Sequence, residues 1–174
     1  QHLIRSRRGP AGGTFVTRPS TDEMSATLTN TATLMVTLGE FDIDSISEAR
    51  REMEQLCLKL AVQRRNDEQL EQMAAALEEQ QAPISDEAFC SADIRFHRAI
   101  VDATGNPVLQ FNMYTVIEAL QPLTNMIANR FREREIIIQH HQALYSAVRL
   151  QKSEEASRAL DRLIDYLTEQ YAKA

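Results

Sequence analysis

Residues 85–107 read SDEAFCSADIRFHRAIVDATGNP, and this stretch decides the fold. Ser85 followed by Asp86 and Glu87 is a helix start: a hydroxyl able to cap free amides, with acids in the turn where the helix dipole favours them. Phe89, Ile94, Phe96, Ile100 and Val101 then supply apolar residues at helical spacing, and Thr104-Gly105-Asn106 ends the run. Pro107 follows and suits the first turn of another helix.

The same grammar extends in both directions. Upstream, Ser20 or Thr21 opens a helix to about Leu38, with Gly39 as its stop. Asp44 or Ser45 caps a second helix to about Arg65, with Ile46, Ala49, Met53, Leu56, Leu60 and Ala61 as its expected buried stripe. Asn66 or Asp67 opens a third, carrying Leu70, Met73, Ala74 and Leu77, which Pro83 closes. Downstream, the helix from Pro107 contains Pro122, where a kink is expected. Further helices cover roughly 133–150 and, capped by Ser153, the stretch to the end. Beyond residue 20 only Gly39 and Gly105 remain as glycines, which fits long helices joined by short turns. The expected class is all-α: an antiparallel bundle of about six to seven helices over residues 20–174.

Residues 1–19 differ. Leu3-Ile4-Arg5-Ser6 and Gly13-Thr14-Phe15-Val16-Thr17 are β-type runs around a basic, glycine-rich turn, which predicts a short β-hairpin. Arg5, Arg7, Arg8 and Arg18 lie in the first 20 residues with no acid, whereas the rest holds 15 basic against 25 acidic residues. Such a body repels phosphate, and only the hairpin attracts it. Cys57 and Cys90 form no C-x-x-C pair and read as reduced thiols, which with the lack of a membrane-spanning run makes a cytoplasmic protein the expectation.

Asp93 and His97 lie four apart on one helix and share a face, a spacing that can present two ligands to a divalent metal and equally serves as a surface ion pair. His140 and His141 point about 100° apart, so at most one joins them. No nucleophile motif, phosphate loop or H-E-x-x-H occurs. The residues leave three functions open: a ligand-responsive regulator, a metal-dependent helical-bundle enzyme in which Asp93, His97 and His141 activate water, or a helical interaction module with no small ligand.

Arg8-Gly9-Pro10-Ala11-Gly12-Gly13-Thr14-Phe15-Val16 resembles the wing of the winged helix in GntR-type bacterial regulators, with extra residues at the tip. The body resembles the FCD sensing domain of the FadR subfamily. The matching stretches are Glu48-Ala49-Arg50-Arg51-Glu52-Met53-Glu54, Ala92-Asp93-Ile94-Arg95-Phe96-His97-Arg98-Ala99-Ile100 with Thr104-Gly105-Asn106-Pro107, and His141-Gln142-Ala143-Leu144-Tyr145-Ser146-Ala147-Val148. The resemblance implies a homodimeric, non-enzymatic transcription regulator, with operator DNA touched by Arg5, Arg7 and Arg8 of the wing and a small carboxylate effector bound in the bundle. It implies Asp93, His97 and His141 as ligands of a divalent metal (zinc, nickel or manganese) and Arg50 as a partner of the effector carboxylate or of Glu54. The family's last histidine falls on Leu163, which cannot ligate. The wing stands here without a recognition helix, so specific DNA binding is expected of a longer protein.

Overall fold

The computed structural model describes residues 4–9, 12–16, 21–119 and 133–173. Strands β1 (Ile4–Arg7) and β2 (Gly13–Val16) pair antiparallel, with Ile4 opposite Val16 and Arg7 opposite Gly13. The turn closes through Gly12 N–H donating to the Gly9 carbonyl at 2.7 Å. A Cβ on Gly12 would stand 2.4 Å from the Arg7 carbonyl oxygen, so no side chain fits there.

Seven helices follow among the described residues: α1 (Thr21–Thr37), α2 (Ile43–Arg64), α3 (Asp67–Gln81), α4 (Asp86–Asp102), α5 (Pro107–Ala119), α6 (Arg134–Arg149) and α7 (Ser153–Ala172). The turns at 65–66, 82–85, 103–106 and 150–152 are too short for anything but reversal, which makes the array an antiparallel bundle. Helix α2 packs on α4, α5, α6 and α7, α3 lies against α4 and α6, and α1 lies against α5. The kink expected at Pro122 and the cap expected at Ser20 fall outside the described residues.

The caps are local and largely as expected. Ser85 Oγ accepts from Ala88 N–H at 3.2 Å, and Asn66 forms a reciprocal capping box with Gln69. Two starts differ. Helix α2 is capped by Asp42, not Asp44 or Ser45: Asp42 accepts from the Ser45 amide at 2.7 Å and from its hydroxyl at 2.8 Å, so Ser45 serves as the third-residue donor. At α7, Ser153 is the first helical residue and makes no cap, while Lys152 before it is tied to Glu155 at 3.0 Å. The turn into α7 puts Gln151 in the left-handed region (φ 56°), held by its amide donating to the Val62 carbonyl at 3.1 Å.

The expected stripe on α2 is the main correction to the fold. Leu56 and Ala49 are exposed, and the buried face runs through Ser47, Arg50, Glu54, Cys57, Leu58, Ala61 and Val62. Hydrophobic periodicity misreads this helix because two ionisable residues belong to its inner face.

Three apolar clusters fill the bundle. The largest includes Leu58, Phe96, Ile100, Leu144 and Leu160. A second gathers Phe89, Cys90, Ile137, Leu163 and Leu167, and a third joins Cys57, Val101, Met113 and Ile117. Ile137 belongs to the second cluster and Leu144 to the first, so α6 passes between them at His141; α4 does the same between Cys90 and Ile100, at Asp93 and His97. That seam is polar, and it holds the site.

Candidate metal and effector site

The seam is built by four helices: Arg50 and Glu54 from α2, Gln80 from α3, Asp93 and His97 from α4, and His141 from α6. All six are buried, with Glu54, His97 and His141 fully so. Buried polar groups of this kind hold together only when each finds a partner.

Glu54 is the anchor. Its Oε2 accepts from Arg50 Nε at 3.1 Å, and its Oε1 accepts from His97 Nδ1. Burial opposes its charge, but the His97 imidazole and the Arg50 guanidinium outweigh that and hold its pKa down at about 2. Burial likewise opposes the charge of Arg50, and Glu54, Tyr171 and Asp93 overcome it, raising the pKa of the guanidinium. Arg50 Nη2 also donates to His97 Nε2 at 3.3 Å. A guanidinium can only donate, so that nitrogen carries a lone pair and the His97 proton sits on Nδ1, facing Glu54.

His141 is arranged in parallel by a neutral partner. Its Nδ1 lies 2.8 Å from Gln80 Oε1, an oxygen that accepts from the Nδ1–H tautomer. Burial first, with the nearby Arg50 guanidinium, lowers its pKa well below the usual 6.5, so the ring is neutral and in that tautomer Nε2 keeps its lone pair. That Nε2 makes no hydrogen bond among the described residues, yet lies 3.4 Å from Asp93 Oδ1. The Phe96 ring stacks on His141 with centroids 4.4 Å apart, fixing the ring plane.

A nitrogen lone pair and a carboxylate oxygen thus face each other across 3.4 Å in a buried seam. Two acceptors repel unless a cation or proton lies between them. Burial raises the Asp93 pKa, opposed by His97 and Arg50, which expresses the same lack of a counter-charge. Ligand atoms about 2.1 Å from a tetrahedral ion stand about 3.4 Å apart, so this pair has the spacing of metal ligands. The donor atoms of Asp93, His97 and His141 all lie within 4.8 Å of one another. Two imidazoles and one carboxylate match the donor set of divalent transition-metal sites that keep open positions.

The residues expected from the sequence therefore converge. Arg50, which the resemblance left between Glu54 and an effector, is bonded to Glu54 and also aims a donor at the centre of the site. His140 is only half-buried and lies tilted against the Tyr166 ring, so His141 is the inward member of the pair. Leu163 is fully buried among Phe89, Cys90 and Ile137, so this position contributes apolar packing and no ligand. Cys90 is one turn from Asp93, but burial pushes its thiol up to about 12 and leaves it without thiolate character. Arg7 and Arg8 are exposed on the hairpin and are not part of this site.

Two residues were not expected in the site itself: Glu54 stood only as a salt-bridge partner of Arg50, and Gln80 was not singled out. Glu54 had a signal, because it lies one turn from Arg50 and shares its face. Gln80 had none: it sits in Glu78-Glu79-Gln80-Gln81, a run that reads as a solvated surface.

Residues 45–166 match the FCD domain. The chain belongs to the FCD domain family. It is 28% identical over 148 residues to the HTH-type transcriptional repressor NanR of Cronobacter sakazakii, covering 83% of this chain and 56% of that protein. It is 34% identical over 120 residues to the galactonate operon transcriptional repressor of Escherichia coli, covering 67% of this chain and 52% of that protein. The chain thus spans about half the length of these curated relatives. Among solved structures, E. coli McbR/YncC matches with a TM-score of 0.64 at 18% identity, over 97% of this chain and 73% of that one. A Streptococcus agalactiae GntR protein matches with a TM-score of 0.63 at 19% identity, over 97% and 75%. These similarities establish the fold, and the sequence relatives are transcription regulators.

Proposed function

We propose that this FCD domain is the effector-sensing part of a homodimeric GntR-type transcription repressor. In this reading it binds a small organic acid beside a divalent metal held by Asp93, His97 and His141. The observation that carries the reading is the pairing of the His141 Nε2 lone pair with Asp93 Oδ1 at 3.4 Å, in a buried seam that Arg50 also enters. A zinc, nickel or manganese ion there would supply a Lewis-acid centre with open positions for an oxygen ligand.

The rest follows from the chain's own groups. Glu54 and Asp93 bring two negative charges and Arg50 one positive, so a divalent cation leaves a net positive charge in a buried site. A buried charge needs pairing, and a carboxylate provides it. Arg50 holds Glu54 through Nε, which leaves its Nη2, now on His97 Nε2, as the donor that can turn to an incoming carboxylate. One relative is a galactonate operon repressor, and galactonate is itself an organic acid, which agrees with an acidic effector.

A regulator is favoured over the metal-dependent enzyme because the sequence relatives are repressors and the hairpin presents Arg7 and Arg8 to solvent, where a wing meets phosphates. No described helix is long and apolar enough to cross a membrane.

Calorimetric titration of chelator-treated protein with Zn²⁺, Ni²⁺ and Mn²⁺ tests the reading. One ion should bind per chain, D93N and H141A should abolish binding, and a panel of small organic acids should then raise the melting midpoint of the loaded protein. Absence of metal binding, or an acid response identical with and without metal, would overturn it.

A further inference from the structure

The carbonyl of Gln80 stands 2.8 Å from His141 Nδ1, on a helix that contributes no other residue to the site. Gln80 is 2% exposed, and its amide Nε2 has no hydrogen-bond partner among the described residues. Two stranded N–H donors are an unfavourable thing to bury, and a leucine would fill similar space without them. One contact compensates: Oε1 on His141.

That contact has a chemical consequence. An imidazole facing a carbonyl must put its proton on the facing nitrogen. The other nitrogen, Nε2, is then a lone-pair donor, and it faces Asp93 Oδ1. Glu54 does the same for His97, but with an anionic oxygen. The two imidazoles are therefore held in the same tautomer by partners of different charge, on two different helices.

We propose that Gln80 is the positioning residue that fixes the His141 tautomer and so sets the metal affinity of the Asp93–His97–His141 site. The proposal rests on the metal reading for its affinity, but not for its tautomer. A neutral amide enhances the basicity of its imidazole less than a carboxylate does, so Gln80 makes His141 the weaker of the two nitrogen ligands. A site with one weakened imidazole, and leucine at position 163, would hold its metal reversibly.

The test is nitrogen-15 NMR of the histidine side chains in chelator-treated protein, with Co²⁺ titration of the wild type, Q80L, Q80M and Q80E. In the wild type His141 should show the Nδ1–H tautomer. Q80L and Q80M should mix the tautomers and lower Co²⁺ affinity by about 10- to 100-fold, the usual range for losing an outer-shell partner. Q80E should restore the single tautomer and bind Co²⁺ at least as tightly as the wild type, a rescue that packing alone would not give. An Nε2–H tautomer in the wild type, or unchanged tautomer and affinity in Q80L and Q80M, would overturn the proposal. If one of these two variants fails to fold, the other and Q80E decide it. If the wild type binds no Co²⁺, the metal reading fails, while the His141 spectrum still decides whether Gln80 sets the tautomer.

Discussion

His141 and Leu144 lie less than one turn apart on α6, and both are fully buried. Leu144 packs among Leu58, Phe96 and Leu160, and many small, non-directional contacts hold it. His141 is held by one hydrogen bond to Gln80 and a stack on Phe96, while its second nitrogen faces Asp93 without a bond. The apolar core is stabilised in proportion to what it buries. The polar seam is stabilised only while its members are together, because each removes the penalty that another would suffer alone.

Breaking the seam should give the largest effect. E54A leaves both the Arg50 guanidinium and His97 without their anion in a fully buried place, and a loss of about 3–5 kcal/mol is expected in urea unfolding. Replacing Arg50 and Glu54 together by methionine should recover much of that loss. A cost for E54A below about 1 kcal/mol would mean that the seam is not energetically coupled.

In the core, L144A should cost about 2–5 kcal/mol through lost burial and a residual cavity. The comparison is sharpened by additivity. L144A should add to changes at distant sites, whereas E54A and R50A should be strongly non-additive with each other. Additive behaviour of that pair in a double-mutant cycle would contradict the shared network.

Acid should separate the two regions further. In the folded, metal-free protein His141 stays neutral below its ordinary 6.5, while the unfolded chain takes up the proton, so stability falls as pH drops below about 6.5. Glu54, held at about 2 against an ordinary 4.5, contributes stability above 4.5 that is lost as pH falls from there towards 2. Asp93, with a raised pKa, acts in the opposite sense: its contribution is present below its ordinary 3.8 and lost as pH rises through the raised value. Half-buried His140 is lowered too, mainly by burial and then by Arg162, so it adds to the upper limb. Unfolding curves of wild type and H141Q between pH 7.5 and 5 should diverge, with the variant less sensitive to acid, and L144A should keep the wild-type slope.

The smallest effect belongs to the neighbour of Arg50. Arg51 bonds Asp161 at 3.0 Å and Asp165 at 2.5 Å, but both acids are substantially exposed. R51A should cost no more than about 1 kcal/mol, decreasing with salt. Arginines one residue apart on α2 would then differ several-fold in what their ion pairs are worth, because one pair is in water and the other is not.

Much of this was legible beforehand. Ser85 and Asn66 announced their helices, Gly39 and Gly105 take positive φ where the turns were expected, and Asp93 and His97 were expected on one face. The inner face of α2 was not legible, because Arg50 and Glu54 look like a surface pair until α4 supplies His97. Nor was the cap of α2, since Asp42, Asp44 and Ser45 are all competent and only geometry selects Asp42. Gln80 was invisible among its acidic neighbours.

By itself the sequence determined the helices, their order and the residue types able to ligate. Those properties depend on capping, on periodicity and on contacts within a turn, which act between residues a few positions apart. Tertiary structure alone decided which polar groups are buried and which partner each imidazole nitrogen faces. Those outcomes depend on partners 43, 47 and 61 residues away in the chain, Glu54 and Arg50 for His97 and Gln80 for His141, and on the removal of water that makes their pairing obligatory.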